Sequence, residues 1–278
     1  MSAGLIVVGT GIQAAGQFTI EARTVVQKAD TVFFLVADPL TRDYLTRLNQ
    51  NTVSLHDLYE TDKPRMQSYV EMVDRITSEV YADKLVCVAF YGHPGVFAFP
   101  AHEAIHRVRA RGIYARMLPG ISAEDCLFAD LGLDPAWTGC QSFEATDFLL
   151  FGRTFDPRSS LILWQVGVIG DTSFQANGYD YKRGLKALIE RLKQVYDADH
   201  KVIVYEASHL PISRFRQDWV ELRQLSEVKL TAESTLVVPP RIGAEPDPEM
   251  LAKLGLSNDK ISRFNWRLDD PVIRMSPA

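Results

Sequence analysis

Two α/β domains, the first on a mainly parallel sheet and the second on a mixed one, are what this 278-residue sequence predicts. Three observations carry the prediction. Short apolar, β-branched runs alternate with segments of helical period through the first half. Glycine-bearing turns follow directly on several of those runs, where a parallel sheet presents its carboxyl ends. The pattern then changes character near Phe143–Leu149.

The first strand is expected at Leu5–Val8, closed by Gly9-Thr10-Gly11, with a helix over Gln17–Ala29. Thr31–Val36 is a β-branched and aromatic second strand and Val53–Leu55 a short third. Leu85–Phe90 and Ala115–Leu118 complete the first set. In the second half, strands are expected at Leu161–Val166, Val202–Tyr205 and Thr235–Val238, with a helix over Tyr181–Tyr196. The expected division is 1–125 for the first domain, 126–256 for the second, and 257–278 for a tail of little periodicity.

Composition narrows the function classes. Apolar residues make up 46% and charged residues 23%, enough for a sizeable core. A net charge of −5 argues against a nucleic-acid partner. Cys87, Cys126 and Cys140 are scattered and odd in number, which predicts buried thiols in a reducing compartment. There is no run of the ~20 apolar residues that a membrane span needs. The expectation is therefore a cytoplasmic protein with no membrane partner.

Gly9-Thr10-Gly11 lets a backbone turn tightly or approach a ligand. A dinucleotide fingerprint is incomplete, because Ala14 stands where a third glycine belongs and Asp38 lies too far on. A second loop, Tyr91-Gly92-His93-Pro94-Gly95-Val96-Phe97, combines two glycines and a proline with flat side chains and a polar handle. That density exceeds what a plain turn requires and favours a ligand crevice. The third loop runs Met117-Leu118-Pro119-Gly120-Ile121-Ser122-Ala123-Glu124-Asp125. Ser122 reads as a helix N-cap with Asp125 as its capping partner, or as the start of an anion-binding helix end.

His102-Glu103-Ala104-Ile105-His106 matches the H-E-x-x-H pattern of zinc proteases. No third ligand follows in context, and the helix continues through a basic face, Arg107, Arg109 and Arg111. No metal is expected. Before it, Asp62 or Lys63 starts a helix with Pro64 in its first turn. Met66, Tyr69, Val70, Val73, Ile76 and Val80 make its apolar stripe. Arg65 and Tyr69 are i,i+4 neighbours, and a guanidinium beside a phenol favours the phenolate, whose ordinary pKa is ~10. Tyr69 reads either as a core residue of that stripe or as half of a functional pair.

Together these segments resemble the borosin α-N-methyltransferases, which methylate backbone amides of a precursor peptide. Tyr91–Phe97 and Arg116–Pro135 carry the resemblance most specifically. Val8–Gln17, Phe143–Leu149, Leu163–Val168 and Ser234–Pro240 match in the same order, and the similarity spans about residues 4–255. The wider superfamily is the tetrapyrrole methylases, whose class III fold has two α/β domains. The resemblance implies S-adenosylmethionine as cofactor and S-adenosylhomocysteine as product. It places cofactor contacts on Tyr91, His93, Val96, Phe97, Ser122, Ala123, Gln165, Tyr205, Ser234 and Thr235. The family's Tyr-x5-Arg-x3-Tyr spacing is met by Tyr59, Arg65 and Tyr69. Tyr69 is then the expected base, with Tyr59 and Arg65 on the oxyanion side, or the two tyrosines exchange roles. Corrin and porphyrin C-methylation is the alternative. Those enzymes carry Pro-Gly-Asp and Gly-Asp-Pro in the first two loops, where this chain has Ile12-Gln13-Ala14 and Gly92-His93-Pro94. Fungal members carry their substrate peptide fused at the C-terminus. Ser257–Ala278 is a mixed, charged run, so the expected substrate is a separate precursor peptide. Family likeness further implies a homodimer, or a heterotetramer with the precursor.

Overall fold

The computed structural model describes residues 3–36, 38–175, 178–241 and 246–257, so the expected tail beyond Ser257 lies outside the described residues. The chain forms two compact units. The first holds Met1–Cys126, Thr172–Asn177 and Ala207–Arg214; the second holds Leu127–Asp171, Gly178–Glu206 and Phe215–Ala278.

In the first unit the elements run β1 (Gly4–Gly9), α1 (Ile20–Lys28), β2 (Thr31–Leu35), α2 (Pro39–Leu48), β3 (Thr52–Ser54), α3 (Arg65–Tyr81), β4 (Leu85–Phe90), α4 (Phe99–Ala110) and β5 (Ala115–Met117). The strands form one parallel sheet in the order β3-β2-β4-β1-β5. Every residue of β1 and β4 is buried, which is why both read as unbroken apolar runs: helices cover both faces. Leu5, Val7, Val86 and Val88 pack with Met72, Val73, Ile76 and Val108 of α3 and α4. Ile6, Val8, Cys87 and Ala89 pack with Ala22, Val25, Val26 and Leu45 of α1 and α2 on the other side.

The second unit takes up the end of α5 (Ala123–Leu131), then β6 (Cys140–Glu144), α6 (Ala145–Leu150), β7 (Ser160–Trp164), α7 (Lys182–Leu192), β8 (Lys201–Glu206), β9 (Arg216–Glu221), β10 (Thr235–Val238) and α8 (Pro248–Lys253). Its sheet is mixed, in the order β6-β7-β10-β8-β9, with β6–β7 parallel and the other pairs antiparallel. Leu185, Leu188, Ile189 and Leu192 of α7 close the core over β7, β8 and β10. The expected α/β class, parallel sheet then mixed sheet, is the observed one.

Several boundaries differ from expectation for physical reasons. The helix expected from Asp62 or Lys63 starts at Arg65, with Pro64 as its N-cap. Asp62 has φ 64°, and a residue before proline, here Lys63, is disfavoured in helix. The strand expected over Leu161–Val166 ends at Trp164, because Gln165 turns left-handed at φ 61° and starts one 3-10 turn, Val166–Val168. Cys87 is buried as expected, but Cys126 and Cys140 are half-buried. Among the described residues no helix is long and apolar enough to cross a membrane.

Candidate active site

The three glycine loops leave β1, β4 and β5 at the same carboxyl edge, and β1 lies between the other two strands. They touch backbone to backbone. Gly11 and Gly92 exchange hydrogen bonds, N–H to carbonyl, at 3.3 and 2.9 Å. A Cβ on Gly9 would stand 2.3 Å from the Gly92 carbonyl, and one on Gly120 would stand 3.0 Å from both that oxygen and the Gly9 Cα. No side chain fits either position. Tyr91 begins the second loop and stacks on His209 with centroids 5.9 Å apart. Gly95 N–H donates to His93 Nδ1 at 2.9 Å, which in a neutral ring leaves the proton on Nε2. Val96 and Phe97 are exposed, Phe97 at φ 51°. Ser122 and Asp125 form the reciprocal cap: Ser122 N–H and Oγ both donate to Asp125 Oδ2 at 2.7 Å, and Asp125 N–H donates back at 3.1 Å. Both polar groups of Ser122 are thus engaged within the cap, and Ala123 opens α5 beside it.

Tyr59, Arg65 and Tyr69 come together in the same unit. Seventeen residues at ~1.5 Å each make α3 about 26 Å long, against about 20 Å for a six-residue strand at ~3.3 Å. Val80 at its far end is buried, whereas Met66 and Val70 near its start are 54% and 36% exposed. Of the expected apolar stripe, Met66 and Val70 thus lie outside the core, while Ser68 beside them is buried and Tyr69 packs against the core cluster. Tyr69 meets Tyr59 edge-on, with centroids 6.4 Å apart, and stacks against Phe99 at 6.3 Å. Tyr59 stacks on Phe174 at 5.1 Å.

Two devices hold Tyr59 against α3. The carbonyl of Leu58 accepts from Ser68 Oγ at 2.8 Å and from Lys63 Nζ at 3.1 Å. Lys63 also pairs with Glu71 at 2.6 Å. The hydrogen bond it donates to Glu71 raises the lysine's pKa, and Lys63 in turn holds the Glu71 carboxyl below the usual range. The segment 172–174 supplies the other side. Ser173 bridges to Pro64, and the Ser173 carbonyl accepts Arg65 Nε at 2.9 Å. Lys63, Ser173, Phe174 and Phe99 were not anticipated. Ser173 and Phe174 lie more than 100 residues from Arg65 and have no local pattern that announces them.

In the second unit Gln165, Tyr205, Ser234 and Thr235 also gather. Val166 N–H donates to the Ser234 carbonyl at 3.1 Å, and Thr235 pairs with Tyr205 across β10 and β8. Tyr205, Ser234 and Thr235 are buried. The Tyr205 hydroxyl donates to Asp130 at 2.7 Å. Ser234 Oγ donates to Glu206, which also takes Thr231 Oγ1 and Arg216 Nη1.

The H-E-x-x-H residues are engaged elsewhere. Glu103 bonds Arg107 at 2.7 Å, and His102 Nε2 donates to the Gly95 carbonyl at 2.9 Å. Among the described residues no group of three or more His, Cys, Asp or Glu side chains could hold a metal ion.

The edge of the first unit combines a tight backbone cradle, flat and apolar side chains at Tyr91, Val96 and Phe97, and a capped helix start. Tyr59, Arg65 and Tyr69 add two phenols and a guanidinium, groups that can exchange protons or face an anion.

Known proteins agree with this layout. A profile described as Tetrapyrrole (Corrin/Porphyrin) Methylases matches residues 4–212. A methyltransferase/ribosomally synthesized type III borosin cyclic peptide precursor of Anomoporia bombycina is 44% identical over 91% of this chain and 30% of its own length. The methyltransferase/ribosomally synthesized cyclic peptide dendrothelin A precursor of Dendrothele bispora is 40% identical over 97% of this chain and 67% of its own. The omphalotin A precursor of Omphalotus olearius is 38% identical over the same shares. The chain thus spans between about a third and two thirds of these relatives. In fold it is similar to uroporphyrin-III-C-methyltransferase from Thermus thermophilus, with a TM-score of 0.60 at 18% identity over 85% of this chain and 92% of that one. Sheet order, loop placement and profile lead to one assignment: the chain belongs to the tetrapyrrole (corrin/porphyrin) methylase family.

Proposed function

We propose that this protein is an S-adenosylmethionine-dependent methyltransferase that methylates backbone amide nitrogens of a ribosomally made precursor peptide. The observation that carries the reading is the contact of Tyr59, in the segment before α3, with Tyr69 on its second turn, with Arg65 between them in sequence. The names of the relatives, which join a methyltransferase to a cyclic-peptide precursor, support a peptide substrate.

An amide nitrogen is a poor nucleophile, because its lone pair is delocalised into the carbonyl. Methylation at nitrogen needs its proton removed while the charge that collects on oxygen is stabilised. Tyr69, in its phenolate form, is assigned as the base that accepts the amide proton and becomes the neutral phenol. Tyr59 and Arg65 face the amide oxygen, with Arg65 oriented by its bond to the Ser173 carbonyl. Bound S-adenosylmethionine supplies an electrophilic methyl group, and S-adenosylhomocysteine is the product. Tyr91, His93, Val96, Phe97, Ser122, Ala123, Gln165, Tyr205, Ser234 and Thr235 are the residues proposed to hold the cofactor. Tyr205, Ser234 and Thr235 are buried, and the Tyr205 and Ser234 hydroxyls already have partners.

The acceptor is proposed to be supplied as a separate precursor chain, whereas the relatives' names join methyltransferase and precursor in one protein. The reading also takes the enzyme to be a cytoplasmic homodimer, or a heterotetramer with that precursor. The test is tandem mass spectrometry after incubation with S-adenosylmethionine and either a separate precursor peptide or one fused to the C-terminus. Mass gains of 14 Da steps (~ one methyl each, on backbone nitrogen) are expected. Methylation of a corrin or porphyrin, with none of either peptide form, would move the assignment to the tetrapyrrole reading.

A further inference from the structure

Residues 207–214 follow β8 in sequence yet belong to the first unit. His209, within that segment, touches two of the glycine loops. Its carbonyl accepts from Ala14 N–H at 2.8 Å. Its Nδ1 lies 3.1 Å from the Tyr91 hydroxyl, and its ring stacks on Tyr91 with 29° between the planes.

Each loop has other holds as well. Gln17 Oε1 accepts Ile12 N–H at 2.7 Å and Gln13 N–H at 3.0 Å, which fixes the turn that carries Ala14. Tyr91 N–H donates to the Leu35 carbonyl at 2.9 Å, and Gly92 is tied to Gly11. His209 bonds both loops at once, by main chain to one and by side chain to the other.

We propose that His209 is a positioning residue that staples the Ile12–Gln17 turn to Tyr91 and so sets the shape of the cofactor edge. The inference rests on the cofactor reading above for its purpose, though not for its geometry. The staple predicts that breaking the side-chain bond to Tyr91 also loosens the main-chain contact with Ala14.

The variants are His209→Phe, which keeps a stacking ring and removes Nδ1, and His209→Asn, which keeps a polar atom near the place of Nδ1. Tyr91→Phe and the Tyr91→Phe/His209→Phe double variant complete a cycle. Two quantities are read on the full chain: amide hydrogen exchange over residues 12–17 and 91–97, and calorimetric affinity for S-adenosylhomocysteine. His209→Phe should speed exchange in both loops together and weaken affinity about 3- to 10-fold, the range of one net hydrogen bond. His209→Asn should recover most of both. Tyr91→Phe should match His209→Phe, and the double variant should be no worse than either. Unchanged exchange at Ala14 in His209→Phe, or additive losses in the double variant, overturns the staple. If exchange couples as described but the wild type binds no S-adenosylhomocysteine, the staple stands and the cofactor reading falls.

Discussion

The rings of Tyr59 and Tyr69 meet edge to face, with centroids 6.4 Å apart and planes at 79°. Phe174 stacks behind the first ring and Phe99 beside the second, so both phenols are fixed by packing as well as by sequence spacing. An aromatic contact of this kind is worth about 0.5–1.5 kcal/mol beyond its buried area. Tyr59→Phe should therefore melt like the wild type, while Tyr59→Ala melts lower. Both should slow methyl transfer, because both remove the hydroxyl assigned to the oxyanion. A Tyr59→Phe protein with undiminished rate assigns Tyr59 to packing alone, and thermal melts run beside turnover make the distinction.

Lys63 holds the main chain before Tyr59 to α3 through the Leu58 carbonyl and Glu71. Lys63→Met keeps the stem and removes the ammonium. Methyl transfer should fall about tenfold or more, as expected when a catalytic group is displaced by a fraction of an ångström to 1 Å. Affinity for S-adenosylhomocysteine should stay within about twofold, since none of the glycine loops contacts this lysine. Parallel calorimetry and initial rates test the split; equal losses in both would place Lys63 in general stability.

Gly9 and Gly120 are fixed by contact rather than by conformation. Gly9→Ala drives a Cβ to 2.3 Å from the Gly92 carbonyl, and Gly120→Ala brings one to 3.0 Å from the Gly9 Cα. Gly9→Ala should abolish cofactor binding and lower the melting point, with Gly120→Ala milder in both. Gly112→Ala is the control, because nothing lies within 4 Å of its added Cβ, although its φ of 73° will itself cost about 1 kcal/mol. Reversal of that ranking in calorimetry and thermal melts would contradict the packing described for the loops.

His200 gives the second unit a pH dependence. Burial is the main influence and holds its imidazole below the ordinary 6.5. The Pro239 carbonyl, Asp197 and Asp199 pull the other way, and Arg241 adds to the lowering. The folded chain thus binds fewer protons here than the unfolded chain. Its stabilising effect is full above about 6.5 and is lost as the pH falls below that. Between about pH 7.5 and 5.5 the melting point should drop, and should drop less in His200→Phe. Equal drops in the two proteins would show that other groups carry the acid sensitivity.

Much of the first unit was legible in the sequence, for a physical reason. Parallel strands buried on both faces leave continuous apolar runs such as Leu85–Phe90, and the turns that follow them fall at one edge. The strands β6 and β9 were not legible. Both lie at sheet edges with no fully buried residue, so Cys140–Glu144 and Arg216–Glu221 look polar. Met66 and Val70 were read into the core stripe because periodicity alone does not reveal which apolar residues a neighbour covers, whereas the polar Ser68 between them is buried. Ser173, Phe174 and His209 reach the site from distant segments, and only the folded chain brings them there.

The central claim is that Tyr69 acts in the chemistry and not only in the packing around Phe99. Tyr69→Phe keeps the ring and its stack and removes one oxygen. The deciding measurement is single-turnover methylation of the precursor peptide by mass spectrometry, with a melt and S-adenosylhomocysteine affinity on the same preparation. The account predicts a rate lowered by about 10²–10⁴, the usual contribution of a general base, with melting and affinity unchanged. A Tyr69→Phe protein that melts normally, binds the product normally and methylates at the wild-type rate contradicts it.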